Sequence, residues 1–544
     1  MTLLSEIVGR RLRLPAPLTR DVEVQRDLRV PMDDGVELLA DRWAPPGSAP
    51  APTVLVRSPY GRRQAFGFLF GRLLSERGLQ VVLQSTRGSF GSGGRFDAFR
   101  EREDGLATLR WLRAQPWHAG RVATLGPSYM GLVQWAIADE VDAMALSVTA
   151  SSFRGPFVSS GSLPLETALS WLLLLEVQER RSAPVLLVRG LRRTLPRLWS
   201  EVPLTEMARA ATGADLPIWR EWIDSLEPGN PYWENREFSA NVGRTTAATQ
   251  LIGGWQDIFL PWLIEDWTAL RDAGRQVQLI VGPGGHVSPS VNGLIVPEGL
   301  AWLRAELLGD RRLVRETPVR VYVTGEERWR DLPDWPPPGA SELRLHLRPG
   351  GGLAPEAPPD PAAEPSRFTY DPADPTPPVG GPALFAQRHV VDNRALEARP
   401  DVLTFTTPTL EHDVDALGPV RAAIALRASQ PHTDLFVRVC DVHPDGRSLN
   451  VCDGFVRLSP DAPARDADGV AQVELPLWPT AHRFAAGHRI RVQVSSGAHP
   501  RWARNPGTGE EPARAAHLVA SRQEVLHDAR HPSAVTLTVA AAAS

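Results

Sequence analysis

The hexapeptide Gly126-Pro127-Ser128-Tyr129-Met130-Gly131 constrains this chain most. An apolar run, Arg121-Val122-Ala123-Thr124-Leu125, precedes it, and a helix-compatible run, Leu132-Val133-Gln134-Trp135-Ala136-Ile137, follows it. Strand, tight turn and helix in that order describe one step of an α/β sheet. A serine in the turn has the form of a nucleophile elbow, G-x-S-x-G, with the second glycine one place late. Small neighbours let a substrate and a general base approach such a serine. An ordinary Gly-Pro-Ser turn accounts for the same letters, so the rest of the chain must decide.

At 544 residues the chain exceeds what one hydrophobic core supports, and two or three domains are expected. Over residues 1–150, strand-like runs such as Val54-Leu55-Val56 and Gln80-Val81-Val82-Leu83 alternate with helix-like ones such as 104–113, the pattern of a mainly parallel sheet covered by helices. Residues 151–240 change texture. Stretches 165–179 and 204–211 read as helices with little β alternation, so this region is expected to be a helical cap inserted into the α/β domain. Strand signals return at Gln250-Leu251-Ile252-Gly253 and Gln278-Leu279-Ile280-Val281, and 241–350 is read as the second part of the core. Proline- and glycine-rich sequence over 333–378 marks a boundary. Beyond it, 351–544 carries short alternating runs spaced by turn residues, the signature of an all-β sandwich or jelly roll.

All 59 residues counted as Lys+Arg are arginine, because the chain contains no lysine. Schiff-base chemistry, Ser-Lys hydrolysis and the phosphate-binding Walker loop are thereby excluded. The net charge of -4 is small and no basic stripe occurs, which argues against nucleic acid. Cys440 and Cys452 are too few for a disulfide scaffold or a four-cysteine zinc site; they flank an expected hairpin around Pro444-Asp445-Gly446 and could lie opposite each other, with or without a bond. No run approaches the roughly 18 apolar residues of a membrane span, and the N-terminus lacks a secretory pattern, so the expected location is cytoplasmic. The histidines are scattered and no H-E-x-x-H occurs; no metal and no cofactor are expected.

A serine nucleophile needs an imidazole to take its proton, and that imidazole needs an acceptor to fix its tautomer. Asp257 follows the apolar run Leu251-Ile252 through Gly253-Gly254-Trp255-Gln256, and His286 ends Gly282-Pro283-Gly284-Gly285-His286 after Leu279-Ile280-Val281. Both stand at expected strand ends, in the order serine, acid, histidine. Asp257 also suits a helix N-cap before Ile258-Phe259-Leu260. His118 is a rival base, but it lies in a loop ahead of the elbow strand. The Tyr129 backbone N–H is the usual first oxyanion donor, and the Tyr60 hydroxyl, in Arg57-Ser58-Pro59-Tyr60-Gly61 after a strand, is a second candidate.

Taken together, Asp34-Gly35-Val36-Glu37-Leu38, Ser58-Pro59-Tyr60-Gly61, Thr86-Arg87-Gly88, Gly126-x-Ser128-Tyr129-x-Gly131, Gly254-Trp255-x-Asp257, Gly282-Pro283-x-x-His286, Pro444-Asp445-Gly446 and Gly487-His488-Arg489-Ile490 resemble the cocaine esterase and X-Pro dipeptidyl-peptidase family of α/β-hydrolases. The resemblance implies an α/β-hydrolase core with an inserted helical cap and a C-terminal β jelly roll of galactose-binding-like form. It also implies a Ser128, Asp257, His286 triad, with the Tyr60 hydroxyl and Tyr129 backbone as oxyanion hole. By the same resemblance Phe157, Trp171, Phe259, Leu384 and Phe385 line an apolar acyl pocket, although simple core packing explains them equally well.

Three departures bear on specificity. Gly284 stands where the family often has tryptophan, which is expected to open space beside His286. Ser85 replaces an acidic or amide residue, and Met130 replaces the acidic residue of α-amino-acid ester hydrolases, which argues against recognition of a charged amino group. The expected reaction is hydrolysis of a small-molecule carboxylic ester through an acyl-enzyme, without nucleic acid or membrane as partner; a homodimer is compatible with the sequence. An amidase or X-Pro dipeptidyl peptidase, an acyltransferase using the same acyl-enzyme, and a non-catalytic binding protein are the alternatives.

Overall fold

A computed structural model describes residues 2–541 apart from 48, 159, 180–197, 200–202, 214, 228, 387 and 512. Part of the expected helical insertion, 180–197, thus lies outside the described residues. The chain divides into two compact units. The first comprises Met1–Gly155, Pro231–Gly254 and Phe259–Pro318; the second comprises Pro156–Asn230, Trp255–Ile258 and Val319–Ser544.

The first unit is built on strands β1 (Glu23–Pro31), β2 (Glu37–Ala44), β3 (Ala51–Ser58), β4 (Gln80–Ser85), β5 (His118–Pro127), β6 (Ala143–Ser147), β7 (Ala248–Gln256) and β8 (Val277–Gly285), in the order β1-β2-β4-β3-β5-β6-β7-β8. The pairs β3–β4, β3–β5, β5–β6 and β6–β7 are parallel, whereas β1–β2 and β2–β4 are antiparallel. β4, β6 and β7 are buried along their whole length, which is why they read as nearly continuous apolar runs. The helix Arg102–Arg113 covers the sheet with Ala107, Leu109 and Leu112. Its ends match its dipole: Glu103 and Asp104 lie in the first turn, Arg110 and Arg113 in the last.

The second unit groups the helices Leu165–Val177, Leu204–Thr212 and Pro217–Ile223 with a large β region. Among the described residues eleven strands join in one sheet network, their pairings antiparallel apart from Gly352 with Thr406. Its core draws on alternating inward residues such as Ala422, Ile424 and Leu426, and Leu435, Val437 and Val439. The expected hairpin forms as Thr433–Val442 paired with Ser448–Leu458; a bulge between Val439 and Cys440 shifts its register, and both cysteines are buried free thiols. Burial pushes the Cys440 thiol up to about 12. No helix among the described residues is long and apolar enough to cross a membrane.

Candidate active site

β5 ends at Pro127, and the helix Tyr129–Trp135 begins immediately after Ser128. Ser128 joins them with φ 57° and ψ -127°, a left-handed conformation that costs a non-glycine residue about 1–3 kcal/mol. The surroundings enforce it. The Ser128 N–H donates to the Ser147 carbonyl at 2.8 Å, while the Ser128 carbonyl accepts from the N–H groups of Gly131 and Leu132 at 2.7 and 3.2 Å. A Cβ at Gly126 would stand 2.5 Å from Met130 Cβ, and one at Gly131 would stand 2.3 Å from Thr149 Cγ2. The late glycine therefore has a steric reason: it lets the helix pass the residues that follow β6.

The turn leaves Ser128 partly accessible, and His286 Nε2 lies 2.9 Å from its Oγ. His286 directly follows β8 and is 6% exposed. Its loop is closed by the Gly285 N–H donating to Ser288 Oγ at 2.8 Å and the Ser288 N–H donating to the Gly285 carbonyl at 3.0 Å. At the end of β7 a Cβ on Gly254 would come within 2.4 Å of the Gly284 carbonyl, so glycine is what lets these two strand ends approach. Asp257 follows β7 directly and is wholly buried; its backbone carbonyl accepts the Trp478 indole N–H at 3.0 Å.

Tyr129, the first residue of the elbow helix, is held from below. Its hydroxyl donates to Glu101 Oε1 and accepts from the Phe99 N–H, both at 2.8 Å. Glu101 in turn pairs with Arg57 at 2.9 Å, and Arg57 also donates to the Glu101 carbonyl and to Gln84 Oε1. Burial pushes the Glu101 carboxyl above its usual range, against the pull of Arg57 and the Tyr129 hydroxyl. Burial and the neighbouring Glu101 hold the Tyr129 hydroxyl well above its ordinary pKa, so it stays a neutral donor. This Arg57–Glu101–Tyr129 network escaped sequence reading. The one available signal was an arginine directly after the buried run Val54-Leu55-Val56, a position that demands an ionic partner. Tyr60 sits in the turn after β3, half-buried, its N–H donating to Ser58 Oγ at 3.0 Å and its ring packed near Phe66.

Of the five expected pocket residues, Phe259 stands beside the site, its ring edge-on to His286 with centroids 5.6 Å apart. It continues into Phe153 at 4.5 Å and then Phe99 at 5.3 Å, two members of an aromatic wall that the sequence did not single out. Phe157 and Trp171 both pack on Trp222, the latter stacked at 5.6 Å. The buried Leu384 donates its N–H to the Glu166 carboxylate at 3.2 Å, and Phe385 is 40% exposed.

The specificity expectations need correction. Met130 is fully buried in the sheet core with Val54, Val56 and Leu125, so its apolar character says nothing about an amine-binding pocket. Gly284 opens no room: its φ of 107° favours glycine, and a Cβ there would meet Ser288 Cβ at 2.7 Å. Ser85 is also buried, accepting from Arg62 at 3.1 Å.

The sequence profile of X-Pro dipeptidyl-peptidase (S15 family) matches residues 34–288, and that of the X-Pro dipeptidyl-peptidase C-terminal non-catalytic domain matches residues 313–536. The chain belongs to the cocaine esterase and X-Pro dipeptidyl-peptidase (S15) family. It is a hydrolase of that family, with an N-terminal catalytic domain and a C-terminal β domain. It is 28% identical to the cocaine esterase of Rhodococcus sp. strain MB1 Bresler, across 95% of this chain and 98% of that one. A putative serine esterase of Mycobacterium bovis is 24% identical, covering 88% and 91%. Among solved structures, an α-amino acid ester hydrolase superposes with a TM-score of 0.82 at 22% identity, and an aminopeptidase from a marine-sediment Thaumarchaeota archaeon with 0.80 at 22%; each covers 97% of this chain and 98% of the other. These two likenesses speak to the fold.

Proposed function

We propose that this S15-family hydrolase cleaves carboxylic esters through an acyl-enzyme on Ser128, with His286 as base and Asp257 as its orienting acid. The observation that carries this reading is the strained Ser128 turn with its hydroxyl 2.9 Å from His286 Nε2. A serine held this way is within proton-transfer reach of a general base and is aimed out of the sheet.

In the proposed cycle His286 Nε2 takes the Ser128 proton as Oγ attacks the ester carbonyl. The Tyr129 N–H and the Tyr60 hydroxyl donate to the developing oxyanion. The protonated His286 then delivers its proton to the departing alcohol, and a water activated by the same imidazole cleaves the acyl-enzyme. Asp257 fixes the imidazole tautomer and stabilises its cationic form throughout. Phe259, Phe153 and Phe99 supply an apolar wall suited to an uncharged acyl group. We further propose that residues 151–240 are a helical cap insertion in the α/β core and that the C-terminal β region is a jelly roll.

The ester reading is preferred to peptide hydrolysis because the curated relatives matched over most of their length are esterases. Matched pairs of esters and amides, assayed with wild type and Ser128→Ala, test it. Ester turnover that exceeds amide turnover and vanishes in Ser128→Ala supports it; preferential cleavage of amides bearing a free N-terminal amine would overturn it in favour of a peptidase.

A further inference from the structure

The β region of the second unit brings three of the scattered histidines, His443, His482 and His488, around Asp441. Asp441 and His443 are two apart at the end of the strand Thr433–Val442, so their side chains share one face. That strand pairs antiparallel with Arg489–Ser495 through Val442 opposite Arg489, and the next step of the same register sets His443 against His488. The two imidazole rings are 4.4 Å apart between centroids. His488 Nδ1 lies 2.9 and 3.0 Å from the two Asp441 oxygens, and His443 Nε2 lies 3.7 Å from Asp441 Oδ2. One ligand atom from each of the three residues falls within 4.8 Å of the others.

We propose that Asp441, His443 and His488 form a binding site for a divalent transition cation of the zinc class. Zinc bonds of about 2.0–2.1 Å in tetrahedral geometry set ligand atoms about 3.3–3.4 Å apart, inside the range of spacings found here. Two imidazoles and one carboxylate are the donor set that favours zinc over magnesium or calcium. A fourth residue completes the arrangement. His482 Nε2 donates to Asp441 Oδ2 at 3.3 Å while its Nδ1 meets Thr324 Oγ1 at 2.8 Å, the kind of outer contact that orients a metal-binding carboxylate. His443 and His488 keep 24% and 17% of their side-chain surface, which gives an ion a route in. The site would tie the 443–447 turn to the connection between the strands Ala471–Phe484 and Arg489–Ser495.

The test is calorimetric titration with zinc chloride of the full, untagged chain after dialysis against a chelator. The expected result is one zinc ion per chain, loss of that binding in His443→Ala/His488→Ala, and affinity weakened about 10- to 100-fold in His482→Ala. Circular dichroism checks that the double variant folds; if it does not, His443→Ala alone, in the turn, must weaken binding by at least about tenfold. Prior labelling of Ser128 with a fluorophosphonate must leave the titration unchanged. No zinc uptake by wild type, wild-type affinity in the ligand variants, or uptake abolished by Ser128 labelling each overturns the proposal.

Discussion

Gly131→Ala is the sharpest test of how this elbow is built. The added Cβ would lie 2.3, 2.6 and 2.7 Å from Cγ2, Cβ and Oγ1 of Thr149, where ordinary contact begins at 3.4 Å. Thr149 is wholly buried and β-branched, so it has no room to turn away. Relief requires the helix Tyr129–Trp135 to move by about 1 Å, and overpacking of this kind costs about 1–3 kcal/mol. The same displacement carries Ser128 away from His286, and a misplacement near 1 Å lowers a catalytic rate by about 10²-fold. The assay pairs urea denaturation with the rate of fluorophosphonate labelling of Ser128. Thr149→Gly removes every atom in the clash, and because the Thr149 hydroxyl has no hydrogen-bond partner among the described residues its loss sacrifices no bond seen there. The double variant Gly131→Ala/Thr149→Gly should therefore label faster than Gly131→Ala alone. Wild-type stability and labelling in Gly131→Ala would refute the steric argument.

Other expectations follow from the same geometry. Tyr129→Phe takes the donor from Glu101 Oε1 and the acceptor from the Phe99 N–H, so stability should fall by about 1–3 kcal/mol for each buried group affected, read by denaturation. Tyr60→Phe should lower kcat on an activated ester by roughly 10²- to 10³-fold if its hydroxyl serves the oxyanion; full activity removes it from that role. Burial raises the Asp266 carboxyl from 3.8 to about 7 despite hydrogen bonds from Ser151. A raised folded-state value means that stability from this group is fully present below pH 3.8 and is lost as pH rises toward 7, by up to about 4 kcal/mol. Asp266→Asn should flatten stability over that interval, and an unchanged pH profile would contradict the assignment.

Local pattern carried much of this molecule. Ser128 and His286 were legible because each sits where a buried apolar strand gives way to a glycine-rich turn, a rule of α/β sheets that spacing alone expresses. The Arg57–Glu101–Tyr129 network was not, since Arg57 and Glu101 are 44 residues apart and no local period encodes their pairing. Phe99 and Phe153 escaped for the same reason: they join Phe259 only through the fold. Met130 and Gly284 misled because a motif position tells what kind of residue is present, not which way its side chain points. Both proved to be governed by packing, Met130 against the sheet and Gly284 against Ser288.

An acyl-enzyme on Ser128 is captured by mixing the enzyme with an activated acetyl ester, quenching in acid within the first turnover, and mapping the adduct by peptide mass spectrometry. An acetyl group on Ser128 is expected in wild type, and neither adduct nor turnover in Ser128→Ala. Undiminished turnover by Ser128→Ala, or acetylation at another residue, would contradict it.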